Sequence, residues 1–369
     1  MINLVTQSPR PLGDAIDTIF LAHTISKVDD NIVNLHMSHP DLQVLNDLVK
    51  FGDVELNSTH HYFKGMTTGR FDYDNIKDNP NLNVYQVCIS KESNYVTYNN
   101  DRFDFDYDNF SFTINGEVVK LDGIFNIIHG EPGENGDLAF ILEKKNLSQT
   151  GCNSFVSNLT FDKKKYIEFI NTLDIPSSKQ ILLTNEASLD LSNIKRQISI
   201  PCIVKPNNGG SSIGVSKVNH LDELEDKIKI AFKESYQILI ENYLSGKEVS
   251  VGVIETNSKR IILPVTEIIS ENEVFDYGAK YLGQSKEITP GNISREEESL
   301  LHKYINKIYD NIELKGFTRS EFIIVDGIPH ILETNTIPGF TKQSIIPQQI
   351  EAFGLSVKEV INNQIESIL

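Results

Sequence analysis

The sequence contains no tryptophan, and only three cysteines and three methionines among 369 residues. Cys88, Cys152 and Cys202 are scattered and odd in number, which excludes a disulfide framework and offers no zinc-ligand spacing. All three are expected to be inert. Positive charge is also scarce: 34 Lys and Arg stand against 51 Asp and Glu, a formal net charge of -17. That balance argues against a nucleic-acid partner, whose backbone needs clustered cations. It does not argue against a nucleotide, whose phosphates need only a few local charges. No apolar run approaches the roughly 18 residues of a membrane span. The first twenty residues carry Asp14 and Asp17 with no basic start, so neither a signal peptide nor membrane association is expected, and a cytoplasmic location is.

What is present suits a soluble globular protein, with 39% hydrophobic and 23% charged residues. The length exceeds one ordinary core, so two or three domains sharing a site are expected. Ile2–Thr6 reads as a strand, followed by a loop over Gln7–Gly13 and a helix from Asp14. Phe103, Phe105 and Tyr107 alternate with acidic residues in strand fashion, and Asn115-Gly116 marks a type I′ hairpin turn. Gly123–Ile128 and Ile200–Lys205 read as buried strands. A helix over 162–171 is expected with Thr160 as its cap, and Leu221, Leu224, Ile228 and Phe232 form a helical stripe. Ser294 and Glu297 form a capping box for a helix over 295–315 that Gly316 stops. Strands alternate with helices throughout, so the class is α/β or α+β.

Three blocks carry chemistry. The segment Gly316–Gly339 reads as two strands around Asp326-Gly327, the first with Arg319 and Glu321, the second with Glu333 and Asn335. Two carboxylates and an amide oxygen are hard ligands of the kind magnesium prefers, and Arg319 could hold an oxyanion. On spacing alone, such charges are more often the wet face of a hairpin. A two-residue turn would set Glu321 opposite Leu332 and send the two glutamates to opposite faces. A three-residue loop Val325–Gly327 is therefore expected, which brings Arg319, Glu321, Glu333 and Asn335 onto one face. The second block is Lys205 at a strand end, followed by Gly209, Gly210, Ser211 and Ser212, whose backbone could approach phosphate oxygens. It is neither a Walker loop nor a dinucleotide fingerprint. The third is a strand ending in Glu241, with Tyr243, Leu244 and then Glu248 following.

In this order, Lys163, Lys205 with its Gly-Ser loop, Glu241, Glu248, Arg319-x-Glu321 and Glu333-x-Asn335 resemble the ATP-grasp superfamily. His129-Gly-Glu-Pro-Gly-Glu134, Phe275-Asp-Tyr-Gly-Ala-Lys-Tyr281 and Asn335-Thr-Ile-Pro-Gly-Phe-Thr-Lys-Gln-Ser344 further resemble its D-alanine–D-alanine ligase branch. The resemblance spans roughly residues 121–355. It implies a three-domain α/β and α+β fold: an N-terminal substrate-side domain over 1–150, a central domain over 151–245 and a catalytic C-terminal domain over 246–369, with ATP between the last two.

The resemblance also assigns roles. Lys163 and Lys205 would hold the ATP phosphates, helped by Gly210, Ser211, Ser212 and Lys280. Glu241, Tyr243 and Leu244 would line the adenine pocket, and Glu248 would bind ribose. Glu321, Glu333 and Asn335 would hold two magnesium ions, with manganese as a substitute. Arg319 and the Gly339 backbone would stabilise a tetrahedral oxyanion. His129 and Glu134 lie on the first-substrate side, and Ser344 would hold the second substrate's carboxylate. Ser211 and Tyr281 would meet across a mobile lid over 276–291. The implied activity is ATP-dependent joining of two small amino-acid substrates through an acyl phosphate, and a homodimer is compatible with it. The first loop departs from the branch: no glutamate is present, and Arg10 stands between Pro9 and Pro11 with Asp14 beyond. Either Arg10 receives an anionic first substrate, or it faces solvent and Asp14 replaces the glutamate. A ligase for another amino-acid pair and a nucleotide-binding regulator without catalysis are the competing readings.

Overall fold

The computed structural model describes residues 4–7, 33–36, 54–57, 79, 81–89, 94–99, 101–184, 191–209, 214–256, 259–270 and 285–369. Arg10, Gly210, Ser211, Ser212, Lys280 and Tyr281 lie outside them, as do the expected helix from Asp14 and most of the expected lid.

The N-terminal third comprises β1 (Leu4–Gln7), β2 (Val33–His36), β3 (Val54–Asn57), β4 (Tyr85–Cys88), β5 (Tyr95–Tyr98), β6 (Asp101–Asp106), β7 (Ser111–Ile114), β8 (Glu117–Lys120), β9 (Gly123–Asn126), α1 (Asp137–Lys144) and β10 (Ser148–Gln149). Among the described residues, eight of these strands form one sheet in the order β10-β9-β1-β4-β5-β6-β7-β8, parallel as far as β4 and antiparallel beyond it. At the Asn115-Gly116 turn both residues have positive φ, 53° and 83°, and Ile114 pairs with Glu117 as a type I′ turn requires. Every residue of β9 is buried, and the strand delivers the chain to His129.

A second sheet of four antiparallel strands follows, in the order β11-β14-β12-β13: β11 (Gln180–Leu183), β12 (Cys202–Pro206), β13 (Ser216–Val218) and β14 (Ile238–Asn242). The helices α2 (Ser154–Phe161) and α3 (Lys163–Thr172) precede it, while α4 (Leu191–Gln197) and α5 (Leu224–Glu234) belong to it. Cys202 and Val204 of β12 and Ile238 and Ile240 of β14 pack against Leu224, Ile228 and Ala231 of α5. Strand alternation therefore turns Lys205 and Glu241 to the opposite face. Leu221, part of the expected stripe, sits in a separate 3-10 turn before α5.

The third sheet contains β15 (Lys247–Thr256), β16 (Lys259–Ile262), β17 (Thr266–Ser270), β18 (Ser285–Ile288), β19 (Phe317–Val325) and β20 (Ile328–Asn335). The helices α6 (Arg295–Tyr309), α7 (Ile345–Ala352) and α8 (Val357–Glu366) complete the chain. One face of this sheet, with Val249, Val251, Phe322 and Ile331, packs on Leu301, Ile305 and Ile308 of α6 and on Tyr166, Ile167 and Ile170 of α3. The other face, with Ile254 and Phe317, packs on α7, α8 and Phe125 of β9, tying this sheet to the first. Burial pushes the Cys152 thiol up to about 12 and the Cys202 thiol to about 11, and Cys88 is buried as well. That environment is one of packing and not of reactive thiolates.

Two helix boundaries differ from expectation. The cap of α3 is Asp162, whose carboxylate accepts from Lys165 N at 3.1 Å; Thr160 lies inside α2 and bonds back to Val156 O. A carboxylate also gains from the positive end of the helix, which a threonine hydroxyl does not. The helix α6 starts at Ser294 as expected but ends at Tyr309, because Asp310 and Asn311 favour turns and Leu314 is drawn into the core. In its capping box, Ser294 Oγ accepts from Glu297 N at 3.1 Å and Glu297 Oε2 accepts from Ser294 N at 2.7 Å. Ser294→Ala is expected to cost about 1 kcal/mol, seen as an earlier urea midpoint at unchanged slope.

Candidate active site

The β19–β20 hairpin reaches the expected register by an unexpected route. Asp326 and Gly327 both have positive φ, 50° and 79°, and Val325 pairs with Ile328. This is a two-residue type I′ turn, not a three-residue loop. Phe322 still pairs with Ile331, but Glu321 pairs with Glu333, so Leu332 is an extra residue in β20. That bulge shifts the register by one. On the turn side of it Phe322, Ile324 and Ile331 enter the core; on the other side Arg319, Glu321, Glu333 and Asn335 share a face. Ser320 and Thr334 point the other way. Thr334 Oγ1 lies 2.7 Å from Ser320 Oγ and 2.5 Å from the Tyr166 hydroxyl. Burial raises the Tyr166 phenol far above its ordinary value, so this chain of hydroxyls stays protonated beneath the site.

On the working face, Arg319 Nη2 donates to Glu321 Oε1 at 2.9 Å, and both side chains are largely buried. Lys163, first residue of α3, places Nζ 3.3 Å from Glu333 Oε2 and donates to Gly209 O at 2.7 Å. One helix N-terminus thus connects a carboxylate of the third sheet to the glycine-rich loop of the second. Asn335 Oδ1 accepts from Ile337 N at 2.9 Å, which fixes the amide. Among the described residues, no three His, Cys, Asp or Glu side chains converge as a metal cage. The set is two facing carboxylates and an amide oxygen, hard donors that suit magnesium only when a ligand adds further oxygens.

On the second sheet, Lys205 Nζ donates to Glu241 Oε1 at 2.6 Å, with both residues buried. Gln180 Nε2 donates to Glu241 Oε2 at 2.8 Å. Tyr243 and Leu244 follow β14 directly, and Lys217 Nζ lies 4.1 Å from the Tyr243 ring centre. Glu248 enters β15 opposite Ile323 and is half-buried.

Two residues that the sequence reading missed, Asn207 and Asp162, brace the N-terminus of α3 at Lys163. Asn207 is fully buried just beyond β12. Its Nδ2 donates to Asp162 Oδ1 at 3.0 Å, its Oδ1 accepts from Lys164 N at 2.9 Å, and its backbone oxygen accepts from Lys163 N at 3.3 Å. Burial raises the Asp162 carboxyl, but hydrogen bonds from Asn207 and Lys165 outweigh it and leave the group below its ordinary value. The only signal in the sequence was Asp162 immediately before Lys163, in the position of a helix cap.

The residues expected on the substrate side form a third cluster. His129 Nδ1 lies 3.0 Å from Ile337 O and 3.4 Å from Glu134 Oε2. A carbonyl only accepts, so this contact puts a proton on Nδ1, and in the neutral ring Nε2 is then the acceptor. Glu134 Oε2 also accepts from Gly130 N at 2.9 Å, while Asn126 braces the same loop through Ile128 N and Gly133 O. Farther along, a Cβ on Gly339 would sit 3.1 Å from Ser344 Oγ, so glycine permits that close approach. Ser344 Oγ accepts from Thr341 N at 3.0 Å and does not cap α7. The structure therefore gathers Lys163, Arg319, Glu321, Glu333 and Asn335, pairs Lys205 with Glu241, and sets His129 and Glu134 against the Ile337 segment.

Residues 169–366 match the family described as D-ala D-ala ligase C-terminus. The D-alanine–D-alanine ligase of Flavobacterium psychrophilum is 42% identical over 300 residues, covering 81% of this chain and 91% of the relative. That of Christiangramia forsetii is 40% identical over 309 residues, covering 84% and 94%. Among solved structures, D-alanyl-alanine synthetase A from Vibrio cholerae superposes with a TM-score of 0.75 at 20% identity, covering 100% of this chain and 98% of the other. The VanG D-Ala:D-Ser ligase from Enterococcus faecalis gives 0.72 at 20% identity, with both chains fully covered. These likenesses establish the three-domain ATP-grasp fold. The chain belongs to the D-alanine–D-alanine ligase family of ATP-dependent, carbon–nitrogen bond-forming ligases.

Proposed function

We propose that this enzyme joins two molecules of D-alanine at the expense of ATP, supplying a dipeptide for peptidoglycan. The observation that carries the reading is the single face holding Arg319, Glu321, Glu333 and Asn335, with Lys163 at its edge. The first substrate's carboxylate attacks the γ-phosphorus of ATP, ADP leaves, and an acyl phosphate results. The second substrate's amine then attacks the acyl carbon, and the tetrahedral intermediate expels phosphate.

Lys163 and Lys205 hold the phosphates in this scheme, and the ATP base lies along Glu241, Tyr243 and Leu244, with ribose toward Glu248. Glu321, Glu333 and Asn335 would hold two magnesium ions, or manganese in their place, which neutralise phosphate charge in both steps. Arg319 and the Gly339 backbone face the oxyanion of the tetrahedral intermediate. His129, held by Ile337 O, offers Nε2 to the first substrate. Ser344 at the start of α7 receives the second carboxylate, where the helix N-terminus favours negative charge. Gly210, Ser211, Ser212, Lys280 and Tyr281 complete the phosphate loop and lid in the same reading. The cytoplasm, where ATP and free amino acids meet, suits this chemistry, and a homodimer is compatible with it. No helix among the described residues is long and apolar enough to cross a membrane.

The test is phosphate release by the whole chain with ATP and magnesium over a panel of amino-acid pairs. The panel includes D-alanine with itself, with D-serine and with D-lactate, L-alanine pairs, and acidic first substrates. The highest kcat/KM is expected for D-alanine with itself, with one dipeptide formed per phosphate. Turnover confined to an acidic first substrate would instead select the reading in which Arg10 receives an anion. No turnover with any pair would favour the regulator.

A further inference from the structure

Gln180 opens β11 directly opposite Glu241 of β14. The carboxylate of Glu241 is held at both oxygens, by Lys205 Nζ at 2.6 Å and by Gln180 Nε2 at 2.8 Å. An ionised carboxylate only accepts hydrogen bonds. The amide nitrogen of Gln180 must therefore face it, and the amide oxygen must point elsewhere. That oxygen, Oε1, is buried and has no hydrogen-bond partner among the described residues. Buried carbonyls are nearly always paired, because leaving one unpaired carries a full desolvation penalty. Gln180, Glu241 and Lys205 lie on the side of the second sheet that faces away from its hydrophobic core. The orphaned oxygen thus lies beside the carboxylate that the nucleotide reading places against the base.

Resting on that reading, we propose that Gln180 is a base-selecting residue. The exocyclic amine of adenine carries two N–H donors; Glu241 takes one and Gln180 Oε1 takes the other. A 6-oxo purine presents an oxygen at the same position and so brings a third acceptor against two. Discrimination comes from leaving acceptors unpaired against the wrong base, which is more selective than a difference in shape. Gln180 also orients Glu241 through its Nε2, so one side chain positions one acceptor and supplies another.

The experiment measures binding, not turnover. Calorimetric affinities of ATP and inosine triphosphate, each with magnesium, are compared for the unaltered chain and for Gln180→Leu. The unaltered chain is expected to prefer ATP. In the variant, ATP should weaken about tenfold, the scale of one lost hydrogen bond, while inosine triphosphate changes little, so the preference shrinks by about the same factor. Equal weakening of both nucleotides would mean that Gln180 only steadies Glu241, and would overturn the proposal. Unchanged ATP affinity would overturn it as well. Gln180→Met, unbranched and similar in length, repeats the comparison if the leucine variant does not fold. A chain that binds neither nucleotide would sink the nucleotide reading itself, whereas one that binds ATP with an unaltered preference after substitution sinks only the role of Gln180.

Discussion

Glu333→Gln is expected to lower kcat/KM at least about 10²-fold, the scale of losing one major electrostatic stabiliser, while leaving the fold intact. Glu333 faces Glu321 directly across the strand pair, and its side chain is 26% exposed in its pair with Lys163. A partly solvated ion pair contributes little to stability, and relieving two opposed carboxylates offsets even that. The urea midpoint should therefore stay level or rise slightly. Catalysis has no such compensation, because the glutamine keeps the size of the side chain but removes a charge that two bound cations would share. Phosphate release measured beside a denaturation curve separates the two effects. Near-normal ligation by this variant would remove Glu333 from the metal set.

Arg319→Lys should be comparably damaging, about 10²- to 10³-fold in kcat, although the charge is retained. Arg319 spends one Nη on Glu321, and its buried Nε has no partner among the described residues. The planar fork thus keeps a donor that Glu321 does not take, available to an oxyanion. A lysine can neutralise Glu321 or reach the oxyanion, but its single nitrogen cannot reproduce both contacts in one plane. The KM for ATP should change little, since Lys163 and Lys205 carry the phosphates in the proposed arrangement. A normal kcat with a raised ATP KM would instead assign Arg319 to nucleotide binding.

The shared face of Arg319, Glu321, Glu333 and Asn335 was legible in the sequence because these residues recur at short, ordered spacings on well-marked strands. The start of α6 was legible for a similar reason: Ser294 and Glu297 satisfy helix donors locally, and that chemistry is written in four residues. Its end was not, because the pull of Leu314 into the core is a tertiary effect. Gln180 and Asn207 left no periodic trace at all. A single amide in a strand or loop acquires meaning only when sheet pairing sets it beside Glu241, or when α3 docks Asp162 against it. Turn chemistry misled in one respect. A three-residue loop was expected at the hairpin tip, yet Asp326 and Gly327 make a two-residue turn and the extra residue sits at Leu332 instead.

That tip, together with the bulge at Leu332, makes the hairpin's tolerance of deletion lopsided. Between the turn and the two facing glutamates, β19 contributes Phe322–Val325 and β20 contributes Ile328–Leu332, one residue more. The longer arm has a spare. Losing Leu332 would straighten the ladder and still leave Glu321 across from Glu333, with Ile331 still against Phe322. Losing any residue from Phe322–Val325 would double the mismatch, and pairing could recover only by slipping a carboxylate toward the hydrophobic side. The two arms therefore differ in what a deletion does: one can shorten by a codon and keep its glutamates opposed, and the other cannot.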